Sequence, residues 1–357
     1  MNKPKKILID LGKLKNRYSG LGEVSYNFGK VLTDNISLFH KENMEAYFLV
    51  PKSHVGIFGD EFKYVSLNFF RRHFPFLNYK YHLWYAIHQD SGYLPGNSTA
   101  KYVLTIHDLN IILKANKKKV AIRLMSLQKK INRASYITTI SNFTKSEVQN
   151  YLDLKKIPTE VVYSGVINTQ NSEAEKPTGI DKEEKFFFHI STLMPKKNVM
   201  VLLDMMKLIP DKKLVIAGSW ESNYAKKIIQ RIRHEKISNI ITLSKINNKQ
   251  KAWLFQNCDA FFFPSLQEGF GLPVIEAMYC GKPVFTSTCT SLPEIGGDKA
   301  FYWRTFEPEY MKNMVTEKIQ STKDDRDFAN TLKQHAQHFT WQKNVTRYIA
   351  LFKELLS

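Results

Sequence analysis

The chain has 357 residues, 43% of them hydrophobic and 24% charged, the composition of a globular protein with two cores. Three cysteines (Cys258, Cys280 and Cys289) cannot form an even disulfide framework and lack metal-ligand spacing. No apolar run approaches the roughly 18 residues of a membrane span, so the expectation is a soluble or peripheral, cytoplasmic protein.

The net charge of +19 is unevenly spread: residues 1–150 hold 23 of the 52 basic residues but only 10 of the 33 acidic ones. A basic first half implies an anionic partner, whether membrane lipid, a phosphorylated acceptor or nucleic acid.

In chain order, "KKILIDL" reads as a strand and "GKLKNRYSGLGE" as a glycine-containing loop. "VSYNFGKVLTDN" has helical spacing, and "EAYFLVP", "YVLTIHDL" and "ASYITTIS" are further short strands. Between the last two, "KANKKKVAIRLMSLQKKINR" (Lys114 to Arg133) interleaves basic residues with Val120, Ile122, Leu124, Met125, Leu127 and Ile131, the composition of an interfacial helix. Residues 168–185 turn polar and read as a linker. The alternation then restarts with the strands "FFFHIST", "KLVIAGS", "IITLS", "DAFFFP" and "PVFTS", separated by helical stretches, and the chain closes on the amphipathic "FTWQKNVTRYIALFKELL". This pattern predicts an α/β protein of two doubly wound, Rossmann-like domains, 1–170 and 184–339, with helix 340–357 packing back on the first. Ligands of such folds sit outside the carboxyl ends of the strands.

The stretch "SLQEGFGLPVIEAMYCGKPV" (Ser265 to Val284) is the most informative. It follows a buried strand, carries Gly-Phe-Gly between two glutamates, and starts a helix with Pro273 in its first turn and Gly281 past its end. Exposed amides at a helix start, with the positive end of its dipole, form an anion site.

The segment "PSLQEGFGLPVIEAMYCGKPVFTSTCTSLPEIGGDKA" closely resembles the signature of the retaining glycosyltransferases of family 4, in which seven residues separate two glutamates. "STLMPKKNVMVLLDMM", "VLTIHDLN", "ISNFTKSEV", "SGLGEVSYNF" and the terminal helix resemble further parts of that family, in the expected order over nearly the whole chain. The resemblance implies the GT-B fold, two Rossmann-like domains with a sugar-nucleotide donor in the cleft they face. It implies that Glu276, in the first helical turn, holds the donor ribose and that Glu268 stands near the sugar. Gly269, Phe270, Gly271 and Leu272 then receive the diphosphate, and Lys197 stabilises its growing negative charge. Thr192 and Lys196 add phosphate contacts in a segment where the family often has an arginine and this chain has "STLMPKKN". Gly218 and Ile246 border the base. His107, with Asp108 as an orienting neighbour, contacts the transferred sugar, and Gly20 and Gly22 let the backbone near the phosphates and acceptor. A paired acid and nucleophile, as in glycoside hydrolysis, does not fit, because Glu276 is assigned away from the anomeric carbon.

The function so implied is hexose transfer, mannose first, from a nucleotide-diphosphate sugar to a saccharide or lipid-linked acceptor in surface polysaccharide synthesis. GDP-mannose is the first donor and UDP-hexoses remain open. The helix start and Lys197 take the place of a metal, and no other cofactor is implied. An anionic membrane surface on the inner face of the cell membrane is the expected docking partner, and no nucleic acid. Two competing readings are a GT-B nucleotide-sugar epimerase and a basic nucleic-acid-binding protein; the latter has the charge but no recognition motif.

Overall fold

A computed structural model describes residues 3–357 except 18, 97–98, 114–115 and 182–183. The chain divides into two compact units, Met1–Gly165 with Phe339–Ser357, and Val166–His338.

The first unit holds β1 (Lys5–Asp10), β2 (Met44–Val50), β3 (Lys63–Ser66), β4 (Leu83–Ala86), β5 (Lys101–Ile106), β6 (Tyr136–Thr139) and β7 (Thr159–Val161). They form one parallel sheet in the order β3-β2-β1-β4-β5-β6-β7. The second holds β8 (Phe186–Ser191), β9 (Lys213–Gly218), β10 (Ile240–Ser244), β11 (Ala260–Phe263), β12 (Val284–Ser287) and β13 (Phe301–Trp303), again all parallel, in the order β10-β9-β8-β11-β12-β13. Read outward from its first strand, each sheet has the same doubly wound order, the Rossmann topology that the alternating pattern implies.

Central parallel strands are covered on both faces and therefore read as unbroken apolar runs. Phe186–Phe188, Leu214–Ala217 and Ala260–Phe263 are buried throughout; on one face Phe187, Leu214, Ile216, Ala260 and Phe262 share a core with Leu202, Leu203, Phe285 and Trp303. The last helix, Trp341–Leu356, is fixed to the first unit by polar contacts. Its Tyr348 hydroxyl joins Thr105 (3.0 Å) and Thr138 (2.9 Å), and Arg347 forks onto Glu160 with two bonds of 2.7 Å.

Two local readings change. The glycine-rich segment is not a loop: Gly20–Asp34 is a helix, capped by the Ser19 hydroxyl on the Gly22 amide. Its start is pressed so closely against the preceding turn that a Cβ on Gly22 would lie 2.0 Å from the Asn16 carbonyl oxygen. The polar stretch after Asn168 falls inside the second unit, where Thr169 is buried, donates to the Glu276 carbonyl at 2.6 Å and accepts from Gln256 at 2.8 Å.

Candidate functional site

In the second unit the short strand β11 ends at Phe263 and the chain runs through Pro264–Phe270 to the helix Leu272–Tyr279. Gly271 makes the turn with φ of 104° and ψ of 48°, a left-handed conformation that a Cβ would strain. No side chain caps the helix start, and Pro273 lies in its first turn. The loop is hung on hydroxyls. Thr290 accepts from the Glu268 amide (3.0 Å), while Ser291 donates to the carbonyls of Glu268 and Phe270 (both 3.1 Å) and Ser287 donates to that of Ser265. These groups tie down the backbone at Ser265, Glu268 and Phe270.

Each signature glutamate meets a lysine. Glu268 accepts from Lys197 and from the Ser265 hydroxyl (2.6 Å), and the Lys197 ammonium also lies 5.2 Å from the Phe263 ring centre. Lys197 ends a single turn, Pro195–Lys197, after which Asn198 is left-handed. The Lys196 carbonyl, one residue before, accepts from the Leu266 amide at 2.8 Å, which ties the two loops together. Glu276 pairs with Lys251 at 2.8 Å, with side chains only 8% and 12% exposed. Glu276 lies in the second turn of its helix rather than the first, since the helix begins at Leu272. Both carboxylates are thus engaged by lysines.

His189, buried on β8, completes the support. Its Nδ1 donates to the Phe262 carbonyl (2.8 Å) and its Nε2 accepts from Ser191 (2.8 Å), whose oxygen in turn receives the Leu193 amide. Burial holds the ring well down, at about 4, so it is neutral and works as a strut between β8 and β11. Thr192 follows β8 exposed, Gly218 ends β9 against Ser191, and Ile246 is half-buried in the turn between β10 and the Asn248–Asn257 helix that carries Lys251.

In the first unit His107 follows β5 and is 5% exposed. Its Nε2 donates to the Ile87 carbonyl (2.8 Å), its amide to Gln89 Oε1 (3.0 Å), and its carbonyl accepts from Thr144 (3.2 Å). Asp108 does not orient the ring; its carboxylate takes the Asn110 amide at 2.9 Å. Burial lowers the His107 pKa, so the neutral ring keeps Nδ1 as an acceptor rather than a donor. Gly20 and Gly22 lie on the first turn of their helix, and His107 shares a small cavity with Val24 of the same helix. Among the described residues no three His, Cys, Asp or Glu side chains group as a metal site.

Lys251, His189 and the hydroxyls of Ser265, Thr290 and Ser291 were not singled out from the sequence. Lys251 and His189 carry no spacing signal, because their partners lie 25 and 73 residues away. The hydroxyl ladder had a visible trace in "STCTS", dense in Ser and Thr.

The family described as glycosyl transferases group 1 matches residues 170–355, which contain every element of this second-unit site. The O-antigen chain mannosyltransferase B of Escherichia coli is 30% identical over 292 residues, covering 76% of this chain and 74% of its own. Two solved structures share the fold along its length. A glycosyltransferase from Rickettsia africae has a TM-score of 0.73 at 13% identity, with all of both chains covered. HepE of Anabaena, solved with UDP and glucose, has 0.73 at 19%, covering 98% of this chain and 99% of its own.

Proposed function

We propose, for a chain that belongs to the group 1 glycosyl transferases and is thus a glycosyltransferase of GT-B fold, that it transfers mannose from GDP-mannose to a saccharide or lipid-linked acceptor of a surface polysaccharide, with retention at the sugar. The observation that carries the reading is the held loop of the second unit: an uncapped helix start at Leu272 beside a lysine-bound glutamate. A nucleoside diphosphate places its charge beside the bond that breaks, and preorganised amides and a cation stabilise the charge that grows there. Phe270, Gly271 and Leu272 supply the amides. Lys197 supplies the cation, while Glu268 and Phe263 keep it in place, so little reorganisation is needed when the diphosphate departs. Glu276, steadied by Lys251, takes the ribose hydroxyls.

His107 accepts a hydroxyl of the transferred sugar at Nδ1. The departing phosphate takes the acceptor proton, in a front-face attack without metal. The choice of mannose follows the printed activity of the Escherichia coli relative, a mannosyltransferase of O-antigen chains, while UDP bound to HepE keeps UDP-hexoses as the second donor class. The basic first unit, with Lys117, Lys118 and Lys119 exposed on the helix Lys117–Ile131, holds the enzyme to an anionic membrane where a lipid-linked acceptor lies. Among the described residues no helix is long and apolar enough to cross a membrane; Lys114 lies outside those residues.

A thermal-shift panel of GDP- and UDP-sugars tests the donor, since a ligand of the folded form raises its midpoint. GDP-mannose should give the largest shift and release GDP only with acceptor present. A larger shift with a UDP-sugar would overturn the mannose assignment, and a converted sugar without acceptor would mark an epimerase instead.

A further inference from the structure

The segment from Phe69 to Lys80 inverts the usual order of burial. Its polar Asn78 is 1% exposed, whereas Phe69, Phe70, Phe76 and Tyr79 are 63–70% exposed. The backbone is nevertheless tightly held. Asn78 donates to the carbonyls of Arg71 (3.1 Å) and Leu94 (3.0 Å), and Arg71 reaches back to Leu77 at 3.1 Å. The exposed rings touch in series, Phe69 to Phe70, Phe70 to Phe74 and Phe74 to Phe76, with centroids 5.9–6.5 Å apart. They form one patch, and such a patch on a fixed backbone marks an interaction surface.

Across a groove of about 690 Å³ stands the Lys117–Ile131 helix. Arg72 and His73 line one wall, and Ile122, Arg123 and Lys130 the other. That helix buries Leu127 and Ile131 but leaves Ile122 58% and Met125 62% exposed, so it too offers apolar side chains among lysines. Charge identifies the occupant. No Asp or Glu occurs between Glu61 and Asp90, nor between Asp108 and Glu147, so the two segments themselves are basic; the groove also holds Asp90, 3.9 Å from Arg123, and Asp108. A second copy would set these like charges against each other, whereas an anionic bilayer offers phosphates to the cations and an interfacial zone to the rings.

The geometry points to residues 69–79 as a membrane-inserting edge: their phenylalanines enter the interface of an anionic bilayer while Arg71, Arg72 and the facing helix bind its headgroups. This rests on the reading of a membrane-borne acceptor but assigns the apolar anchor to a segment outside the lysine-rich helix.

The test is sedimentation of the full chain with phosphatidylcholine vesicles, with and without phosphatidylglycerol, for wild type and a F69S/F70S/F76S variant. These side chains are exposed, so an unchanged melting temperature should confirm an intact fold. We expect binding only to the anionic vesicles, weakened roughly tenfold or more in the variant, with GDP-mannose binding unchanged. A F76W variant should gain a blue-shifted emission on the same vesicles relative to wild type, and brominated lipid should quench it. Undiminished sedimentation of the triple variant, an unshifted F76W emission, or wild type that ignores anionic vesicles would each overturn the insertion. Loss of donor binding in wild type with vesicle binding intact would instead sink the transferase reading and leave the membrane edge standing.

Discussion

Lys197 and Glu268 act as a unit, so their substitutions should not behave alike. Lys197→Ala removes the cation that meets the departing diphosphate, a group typically worth about 3–4 kcal/mol, and turnover should fall roughly a hundredfold or more. Near-normal turnover would mean another group carries that charge. Glu276 has two roles that a double-mutant cycle separates. Glu276→Gln strands Lys251 in a poorly solvated place, so it should cost stability, about 1–3 kcal/mol, as well as donor affinity. In a Lys251→Met background the stability cost should largely vanish while the loss of donor affinity persists; if both vanish together, Glu276 is structural and does not hold the ribose. His189 gives a pH signature. Its folded pKa of about 4 lies below the ordinary 6.5, so on acidification the unfolded chain takes the proton first. The stabilisation from the neutral ring is fully present above about pH 6.5 and is lost as pH falls toward 4, up to about 3 kcal/mol. Urea unfolding at pH 7 and pH 5 should show His189→Gln less stable at pH 7 but losing less on acidification; an equal loss in both proteins would assign the acid sensitivity elsewhere.

Elements differ in how plainly the sequence announces them. The strand, loop and helix around Gly271 are legible because Pro264, Pro273 and Gly281 punctuate them and the run Ala260–Phe263 before Pro264 is wholly apolar. Strands β3, β4, β7 and β13, of three or four residues each, are not read from the sequence; β6, β11 and β12, also of four residues, are, so length alone does not separate the two groups. The Gly20–Asp34 helix hides its start, since two glycines in a first turn lower helix propensity and imitate a loop. What keeps glycine at the two positions differs, and this makes a test. Gly22→Ala forces a Cβ onto the Asn16 backbone and should destabilise by about 3 kcal/mol or more. A Cβ on Gly20 meets nothing within 4 Å, so Gly20→Ala should leave stability within about 0.5 kcal/mol. Any loss of activity in Gly20→Ala therefore reports on ligand approach rather than folding. Full activity at an unchanged melting temperature would remove Gly20 from the site. The lysine partners of the two glutamates stay illegible for another reason: an ion pair made by the fold leaves no trace in local spacing.

For the whole molecule, charge is distributed by unit. The first unit carries 28 basic and 13 acidic residues, leaving 24 and 20 in the second, so +15 of the excess of +19 belongs to the unit that contains His107. Charge of one sign on one unit creates a field that reaches an anionic surface from about a Debye length away, roughly 8–10 Å at moderate salt. The aromatic edge, by contrast, acts only on contact. The two contributions therefore separate by salt. Lys117, Lys118 and Lys119 are exposed at the start of their helix, which has no acidic residue to offset them. Each basic residue near such a membrane contributes about 1 kcal/mol, so K117E/K118E/K119E should weaken vesicle binding by about two orders of magnitude at low salt. The gap between wild type and variant should narrow as salt rises, because screening removes what the lysines supplied. Donor affinity should not change, since no residue assigned to the donor lies on that helix. Vesicle sedimentation across a salt series reads both outcomes, and binding that survives the reversal at low salt would take the lysine-rich helix out of the docking surface.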